Sequence, residues 1–262
     1  MASRVEEKEQ ARAQRLAAEE EAQRSDRRRA RLMRLGLIVA VAVIVVVIAI
    51  VASGGSNSSS GTGSGRSGGS GAGVATTLFK GIPQRGVTLG KASAPATLIE
   101  FADLQCPFCG EYSNNGLATV VKDYVRTGKL RYQLHIRSFL GPDSVKAAGA
   151  AAAATDENRL YQFSDLFYRR QQQENTGYVT PSFLRGIASG SGVDPAKALA
   201  GAANPKAQPQ VAAAEKLASD LGSNSTPAFY LRLKDNRLVP VEPKALDGPS
   251  MSAAIDAALS GS

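Results

Sequence analysis

Two stretches of the chain have the residue pattern of β-strands. Residues 97–104 form an alternating and strongly apolar run, which predicts a buried strand. The stretch from Leu130 to Ile136 alternates cleanly between apolar and polar residues, which predicts a second strand with one face in the core. Its histidine, His135, falls on the opposite face, so we expect a partly exposed strand histidine there.

Helical and hairpin signals dominate the second half of the chain. Residues 142–224 contain several helix starts and amphipathic stretches but no convincing strand, which indicates a helical block inserted between strands. The glutamines at 171–173 resemble the polar end of one of these helices. Residues 228–233 alternate again and lead through a turn into a short edge strand that contains Pro240. A last helix is expected over residues 250–259.

The first 75 residues have a different pattern from the rest. Residues 1–34 are highly charged and end in an arginine cluster, residues 35–52 carry no charge, and residues 53–75 are rich in glycine and serine. A bilayer is spanned by about 20 apolar residues, so residues 35–52 predict one transmembrane helix. The arginines ahead of it place the N-terminal segment in the cytoplasm and the later residues outside. Cleavage just after this helix, near Ala52, is the alternative interpretation.

The distribution of charge along the chain does not indicate a nucleic-acid partner. The chain has 31 Lys and Arg against 23 Asp and Glu, a net charge of +8, of which residues 76–262 hold only 20 against 16. These residues are the single predicted globular domain, connected to the membrane helix by the flexible linker 53–75. They show no basic stripe with aromatics and no phosphate-binding glycine motif. We therefore expect no nucleic-acid partner and no bound cofactor.

The two cysteines of the chain, Cys106 and Cys109, lie between the first predicted strand and a helical pattern. Pro107 suits the first position of a helix, which places Cys106 at the helix N-terminus, where unpaired N–H groups favour a thiolate. Cys106 is therefore the expected nucleophile, and Cys109 the expected resolving thiol of a redox-active pair. A structural disulfide, two inert thiols and a zinc site are the competing interpretations. We expect no metal, because zinc needs about four ligands and His135 is the only histidine.

Two segments together resemble the signatures of the DsbA-type thioredoxin-fold family. The first is the run from Ala94 to Phe101 that leads into the cysteine pair, and the second is Ser225 to Phe229. The resemblance covers about residues 80–260. It implies an α/β thioredoxin fold, in which a mixed sheet is flanked by helices and the block at 142–224 is an inserted helical subdomain.

The resemblance also implies roles for particular residues. Thr226 and Pro227 would be joined by a cis bond and would bind a substrate peptide as an added strand, next to Pro107 and Phe108. Glu100 would be a buried acid that assists proton transfer at the inner cysteine. An ordinary trans proline and a solvent-facing acid are the alternatives.

The implied activity is thiol–disulfide exchange outside the cytoplasm, at the cell membrane. The substrates would be exported proteins that contain cysteines, and a membrane redox partner would reoxidise or reduce the pair. Disulfide formation is the expected direction, although Phe108 occupies the position where the best-known oxidising members have a histidine, which predicts a less oxidising pair. A disulfide reductase or isomerase is the alternative among enzymes. A membrane-tethered, non-catalytic binding module is the alternative from another class.

Overall fold

A computed structural model of the protein describes residues 77–261. The predicted charged segment, the predicted membrane helix at 35–52 and the Gly/Ser-rich linker lie outside the described residues. Between residues 77 and 261, no helix is both long enough and apolar enough to cross a bilayer. The segment boundaries that the sequence predicts before residue 77 therefore stay predictions.

A mixed sheet of six strands forms the centre of the described part of the chain. The strands are, in chain order, β1 (Gln84–Arg85), β2 (Thr88–Leu89), β3 (Ala96–Asp103), β4 (Leu130–Arg137), β5 (Ala228–Arg232) and β6 (Leu238–Val241). Their order in space is β1-β2-β4-β3-β5-β6; β3 is parallel to β4, and all other neighbours are antiparallel. The predicted mixed sheet is confirmed, and Pro240 lies on an edge strand as expected.

The central strand β3 owes its position to its composition. All eight of its residues are buried, because helices cover both faces of the sheet. Leu98 and Ala102 belong to the main core on one face, whereas Ile99 and Phe101 pack against Ala218 on the other. A strand that is covered on both faces needs a largely apolar sequence, and β3 has one.

The neighbouring strand β4 keeps the alternation that the sequence predicts. Its residues are buried and half-buried in turn from Leu130 to Arg137. His135 is on the half-buried face, which confirms the expected position. Burial lowers the pKa of His135 to about 4, so its ring is neutral at physiological pH.

Helices surround the sheet and supply the inserted subdomain. They are α1 (Pro107–Asn115), α2 (Leu117–Val120), α3 (Pro142–Asp156), α4 (Leu160–Arg169), α5 (Pro181–Ser191), α6 (Pro195–Ala203), α7 (Pro209–Asp220) and α8 (Gly248–Ser260). A π-helical turn, Val121–Val125, extends α2, and a 3-10 turn, Pro205–Ala207, precedes α7. Helices α3 to α7 lie between β4 and β5 in the chain, which confirms the predicted helical insertion.

Within the insertion, α3 and α6 cross at two glycines. A Cβ atom on Gly149 of α3 would overlap the main-chain oxygen of Gly201, and a Cβ on Gly201 of α6 would overlap the oxygen of Gly149. The absence of side chains at these two glycines thus allows a close approach of the two helix backbones. Any side chain at either glycine must separate the helices.

We expect Gly149→Ala to lower the free energy of unfolding by about 1–3 kcal/mol, the usual cost of overpacking a core. Urea unfolding of the purified domain would measure it. The control is Gly186→Ala in α5, where an added Cβ finds its nearest atom at 3.6 Å. This control should leave stability unchanged or raise it by up to about 1 kcal/mol, since alanine is the better helix former. Equal midpoints of urea unfolding for both variants would contradict the close crossing of α3 and α6.

Candidate active site

Cys106 lies at the junction between the end of β3 and the start of α1. It is the N-cap residue of α1, with φ −68° and ψ 119°, and Pro107 follows as the first helical residue. Proline fixes a helical φ and lacks the N–H that would have no partner at this position. The predicted placement of the cysteine pair at a strand end and a helix start is therefore confirmed.

Both cysteines are free thiols, and both are largely covered by protein. Cys106 is 4% exposed and Cys109 is fully buried, so Cys106 is the outer thiol, as expected, but not an open one. The loop that contains Thr226 covers it, and in its protonated form Sγ of Cys106 donates a hydrogen bond to the main-chain oxygen of Thr226 at 3.3 Å. A position at a helix N-terminus predicts an exposed thiolate at Cys106, and this prediction is wrong, because the sequence does not show which segment packs over the helix start.

The two thiols differ in the charge that their surroundings favour. The hydrogen bond that the Cys109 thiol donates is the largest cause that lowers the pKa of Cys106, to about 6. Burial opposes this effect, while the Thr226 side chain and the main-chain N–H groups of Phe108 and Cys109 reinforce it. Burial raises the pKa of Cys109 well above that of an ordinary thiol. Near pH 7 the pair therefore holds a thiolate at Cys106 and a thiol at Cys109.

Glu100 is buried in β3 beneath the pair, at 3% exposure. The Tyr132 hydroxyl on β4 donates a hydrogen bond to its carboxylate. Burial raises the pKa of Glu100 to about 8; the hydrogen bond from Tyr132 opposes the rise, and the charge of Cys106 adds to it. In turn, the charge of Glu100 contributes to the raised pKa of Cys109. The structure therefore has a protonated carboxyl group electrostatically coupled to both sulfurs near neutral pH.

The second predicted segment faces the dithiol. The Thr226–Pro227 peptide bond is cis, as the resemblance implied. A groove of about 360 Å³ runs beside it, and Phe108, Thr226 and Pro227 are among its lining residues. Phe108 is 61% exposed at its rim. Pro107 does not line this groove, so the structure brings together three of the four residues that were expected to contact a substrate.

Several polar residues at the site carry no recognisable signal in the sequence. Gln171, interpreted as part of a polar helix end, donates hydrogen bonds to the main-chain oxygens of Leu104 and Cys106, at 2.9 and 3.0 Å. The alternation from Leu130 to Ile136 predicts Tyr132 only as an inward-facing strand residue, and its hydrogen bond to Glu100 depends on the register of β3 and β4. No cluster of His, Cys, Asp or Glu between residues 77 and 261 could hold a metal ion.

The fold and the site together define a class of protein. The class is that of thioredoxin-fold proteins, in which a Cys-x-x-Cys pair at a helix start faces a loop with a cis-proline. Residues 83–255, more than half of the chain, match a family model described as thioredoxin. The chain belongs to this family.

Relatives and solved structures agree with the assignment. The chain is 30% identical over 102 residues to a protein of Bacillus cereus named probable disulfide bond formation protein D, in an alignment that covers 38% of this chain and 47% of that one. The chain thus aligns with about half the length of this relative. The oxidised crystal structure of BdbD from Bacillus subtilis superposes with a TM-score of 0.58 at 22% identity, over 69% of this chain and 98% of that one. MdbA, a thiol-disulfide oxidoreductase from Corynebacterium diphtheriae, superposes with a TM-score of 0.51 at 20% identity, over 67% and 93%. The two structural likenesses establish the fold.

The difference between the thiols predicts an order of alkylation. In the reduced protein, a small reagent such as iodoacetamide should label Cys106 well before Cys109. The rate at Cys106 should rise with pH through about 6 and then level off, because the thiolate is the reactive form. Peptide mapping by mass spectrometry after short exposures would give both rates. Faster labelling of Cys109, or a midpoint for Cys106 near the ordinary thiol value of about 8.5, would contradict the assignment.

The buried Glu100 predicts a pH-dependent change in stability. Its pKa is about 8 in the fold and 4.5 in the unfolded chain, so the folded state retains a proton that the unfolded state releases. The stability that Glu100 contributes is therefore fully present below about pH 4.5 and is lost as pH rises through about 8. Gln cannot lose a proton, so the variant Glu100→Gln lacks this pH dependence. Its free energy of unfolding, taken relative to that of the wild type, should therefore rise by about 2–4 kcal/mol from pH 5 to pH 8.

Urea unfolding of both reduced proteins at the two pH values tests this expectation. The thiolate of Cys106 acts in the opposite direction, but it does so in both proteins and largely cancels in the difference. Glu111→Gln, on the exposed side of α1, is the matched control and should keep the pH dependence of the wild type. A difference between Glu100→Gln and the wild type that does not change with pH would mean that Glu100 does not hold a proton in the fold.

Proposed function

We propose that this chain is a membrane-anchored, extracytoplasmic thiol–disulfide oxidoreductase that forms disulfides in exported proteins. Residues 1–34 would lie in the cytoplasm, 35–52 would span the membrane, 53–75 would be a flexible tether, and 76–262 would be the catalytic domain. The observation that carries the proposal is the opposite tuning of the two thiols, with the pKa of Cys106 lowered to about 6 and that of Cys109 raised. A binding module would gain nothing from such a pair.

The first chemical step is attack on the oxidised pair. A substrate thiolate attacks Sγ of Cys106, forms a mixed disulfide, and breaks the bond to Cys109. The electron pair of that bond leaves on the sulfur of Cys109. Glu100, protonated near neutral pH, supplies the proton that this buried thiolate takes up. The high pKa of Cys109 favours this transfer.

The second step releases the substrate. A second substrate thiolate attacks the substrate sulfur of the mixed disulfide, and Cys106 leaves as a thiolate. A thiol of low pKa is a good leaving group, and a stable thiolate favours the reduced form of the protein. Two electrons have then passed from the substrate to the pair, so the sulfurs themselves carry them and no bound cofactor is required. A membrane redox partner would take the electrons and restore the disulfide.

The same electrostatics supports disulfide formation as the proposed direction of the reaction. Because the reduced state holds its negative charge on a stabilised sulfur, the oxidised state is the more reactive one and tends to oxidise its substrates. The name of the Bacillus cereus relative, probable disulfide bond formation protein D, supports the same direction.

The groove beside the cis-proline suits an extended peptide. Its floor includes Phe229 at the start of β5, and its rim includes the exposed ring of Phe108. A substrate segment could lie along Thr226 and Pro227 as an added strand, with main-chain hydrogen bonds for affinity and apolar contacts for side chains. Such binding is tolerant of sequence, which fits a protein that acts on many exported chains.

An oxidation assay with matched cysteine variants tests the proposal. The oxidised full-length protein should convert the thiols of a reduced, unfolded protein to disulfides at neutral pH. Cys109→Ala should accumulate a mixed disulfide through Cys106, because the resolving thiol is absent. Non-reducing gels and mass spectrometry would show the adduct, and Cys106→Ala is the control that should trap nothing. Substrate thiols that persist with the oxidised wild type, or equal trapping by both variants, would overturn the proposal.

A further inference from the structure

The turn that carries Cys106 is held from one side by the helical insertion. At the end of β3 the Tyr168 hydroxyl donates a hydrogen bond to the main-chain oxygen of Asp103, at 3.2 Å. The side chain of Gln105 donates to the Tyr178 hydroxyl at 2.8 Å and accepts from the main-chain N–H of Asn175 at 3.1 Å. The segment 168–178, at the end of α4 and in the loop that follows, therefore forms hydrogen bonds with the turn at both Asp103 and Gln105.

Gln171 makes the central contact in this set. Its Nε2 group donates one hydrogen bond to the oxygen of Leu104 and another to the oxygen of Cys106. Both N–H groups of the amide are used, and the two acceptors flank Gln105. The other end of the amide, Oε1, lies against the first turn of α1, where a Cβ atom on Gly110 would overlap it. One side chain thus fixes the Cys106 turn relative to the helix start.

This geometry matters because the Cys106 thiolate depends on short-range donors. The Cys109 thiol and the main-chain N–H groups of Phe108 and Cys109 lower the pKa of Cys106. Hydrogen bonds weaken steeply with distance and misalignment, so a small movement of the turn relative to α1 weakens all of them together. A residue that touches no substrate can therefore control the reactivity of the sulfur.

We propose that Gln171 is a positioning residue, through which the helical insertion holds the Cys106 turn in the geometry that favours the thiolate. The biological meaning of this inference rests on the proposed function, but the geometry itself does not. The neighbouring glutamines provide an internal comparison. Gln172 and Gln173 are exposed, and their side chains form no hydrogen bond within residues 77–261.

The test compares Gln171→Met with Gln172→Met in the reduced full-length protein. Methionine keeps the length of the side chain and removes both N–H donors. In Gln171→Met, the thiolate fraction of Cys106 at pH 6 should fall about threefold. This fall corresponds to a loss of thiolate stabilisation of roughly one hydrogen bond. The ultraviolet absorbance of the thiolate reports this fraction, and equilibration with glutathione should shift toward the disulfide. Gln172→Met should match the wild type in both measurements.

A second variant reaches the same contact from the opposite side. Gly110→Ala places a methyl group where Oε1 of Gln171 lies, so it should displace the amide and lower the thiolate fraction in the same direction. Combined with Gln171→Met, it should add little further change, because the contact is already lost. Gly186→Ala, in a helix with space for the methyl group, is the control. If Gln171→Met does not fold, the comparison of Gly110→Ala with Gly186→Ala decides the question.

The outcomes separate this inference from the proposed function. A Gln171→Met protein that titrates like Gln172→Met, or full additivity with Gly110→Ala, would overturn the role of Gln171. A wild type whose Cys106 titrates near pH 6, but which leaves substrate thiols reduced, would overturn the proposed function alone. The titration needs no substrate and no redox partner, so its result can be interpreted in either case.

Discussion

The hydrogen bond from the Cys109 thiol to the sulfur of Cys106 is the interaction on which the rest of the site depends. It is the largest cause of the lowered pKa of Cys106, and it requires that Cys109 keep its own proton. The buried position of Cys109, one helical turn inside α1, ensures this by raising its pKa. Pro107 at the first helical position and the fully buried strand β3 fix the two sulfurs in that relation. The fold therefore keeps one negative charge on the outer sulfur.

Glu100 extends the same arrangement deeper into the core. Its hydrogen-bond partner is the neutral Tyr132 hydroxyl, which only partly offsets the effect of burial on the carboxyl group. With burial dominant, the carboxyl group stays protonated near neutral pH, while the nearby thiolate of Cys106 is charged. Protonation of Glu100 spares the site a second buried negative charge, which would destabilise the first. The carboxyl group of Glu100 and the thiolate of Cys106 are in this sense one electrostatic system.

Local signals predicted the framework of the site, whereas contacts between distant segments decided its details. Alternation gave the two central strands, and a proline after Cys106 gave the helix start, because both patterns act within a few residues. The cover over Cys106 and the double hydrogen bond from Gln171 join residues that are 120 and about 65 positions apart. A polar residue at a helix end has the same local pattern whether it is solvated or bound to a turn. The hydrogen bonds of Gln171 could therefore be recognised only from the packing of α4 against the end of β3.

Phe108 shows how the charge and the surface of the site are divided. Phenylalanine cannot supply the positive charge of a histidine, so the sequence predicts a less oxidising pair than in the best-known oxidising members, and this stays a prediction. The pKa of Cys106 is nevertheless lowered from the ordinary thiol value to about 6 by neutral donors alone. These donors are largely buried, so added salt screens them much less than it would screen an exposed cation. The side chain of Phe108 therefore contributes no charge to the thiolate. Its ring is 61% exposed and borders the groove beside Pro227. A substitution at this position can alter the apolar rim of the groove while the main donors to the thiolate stay in place.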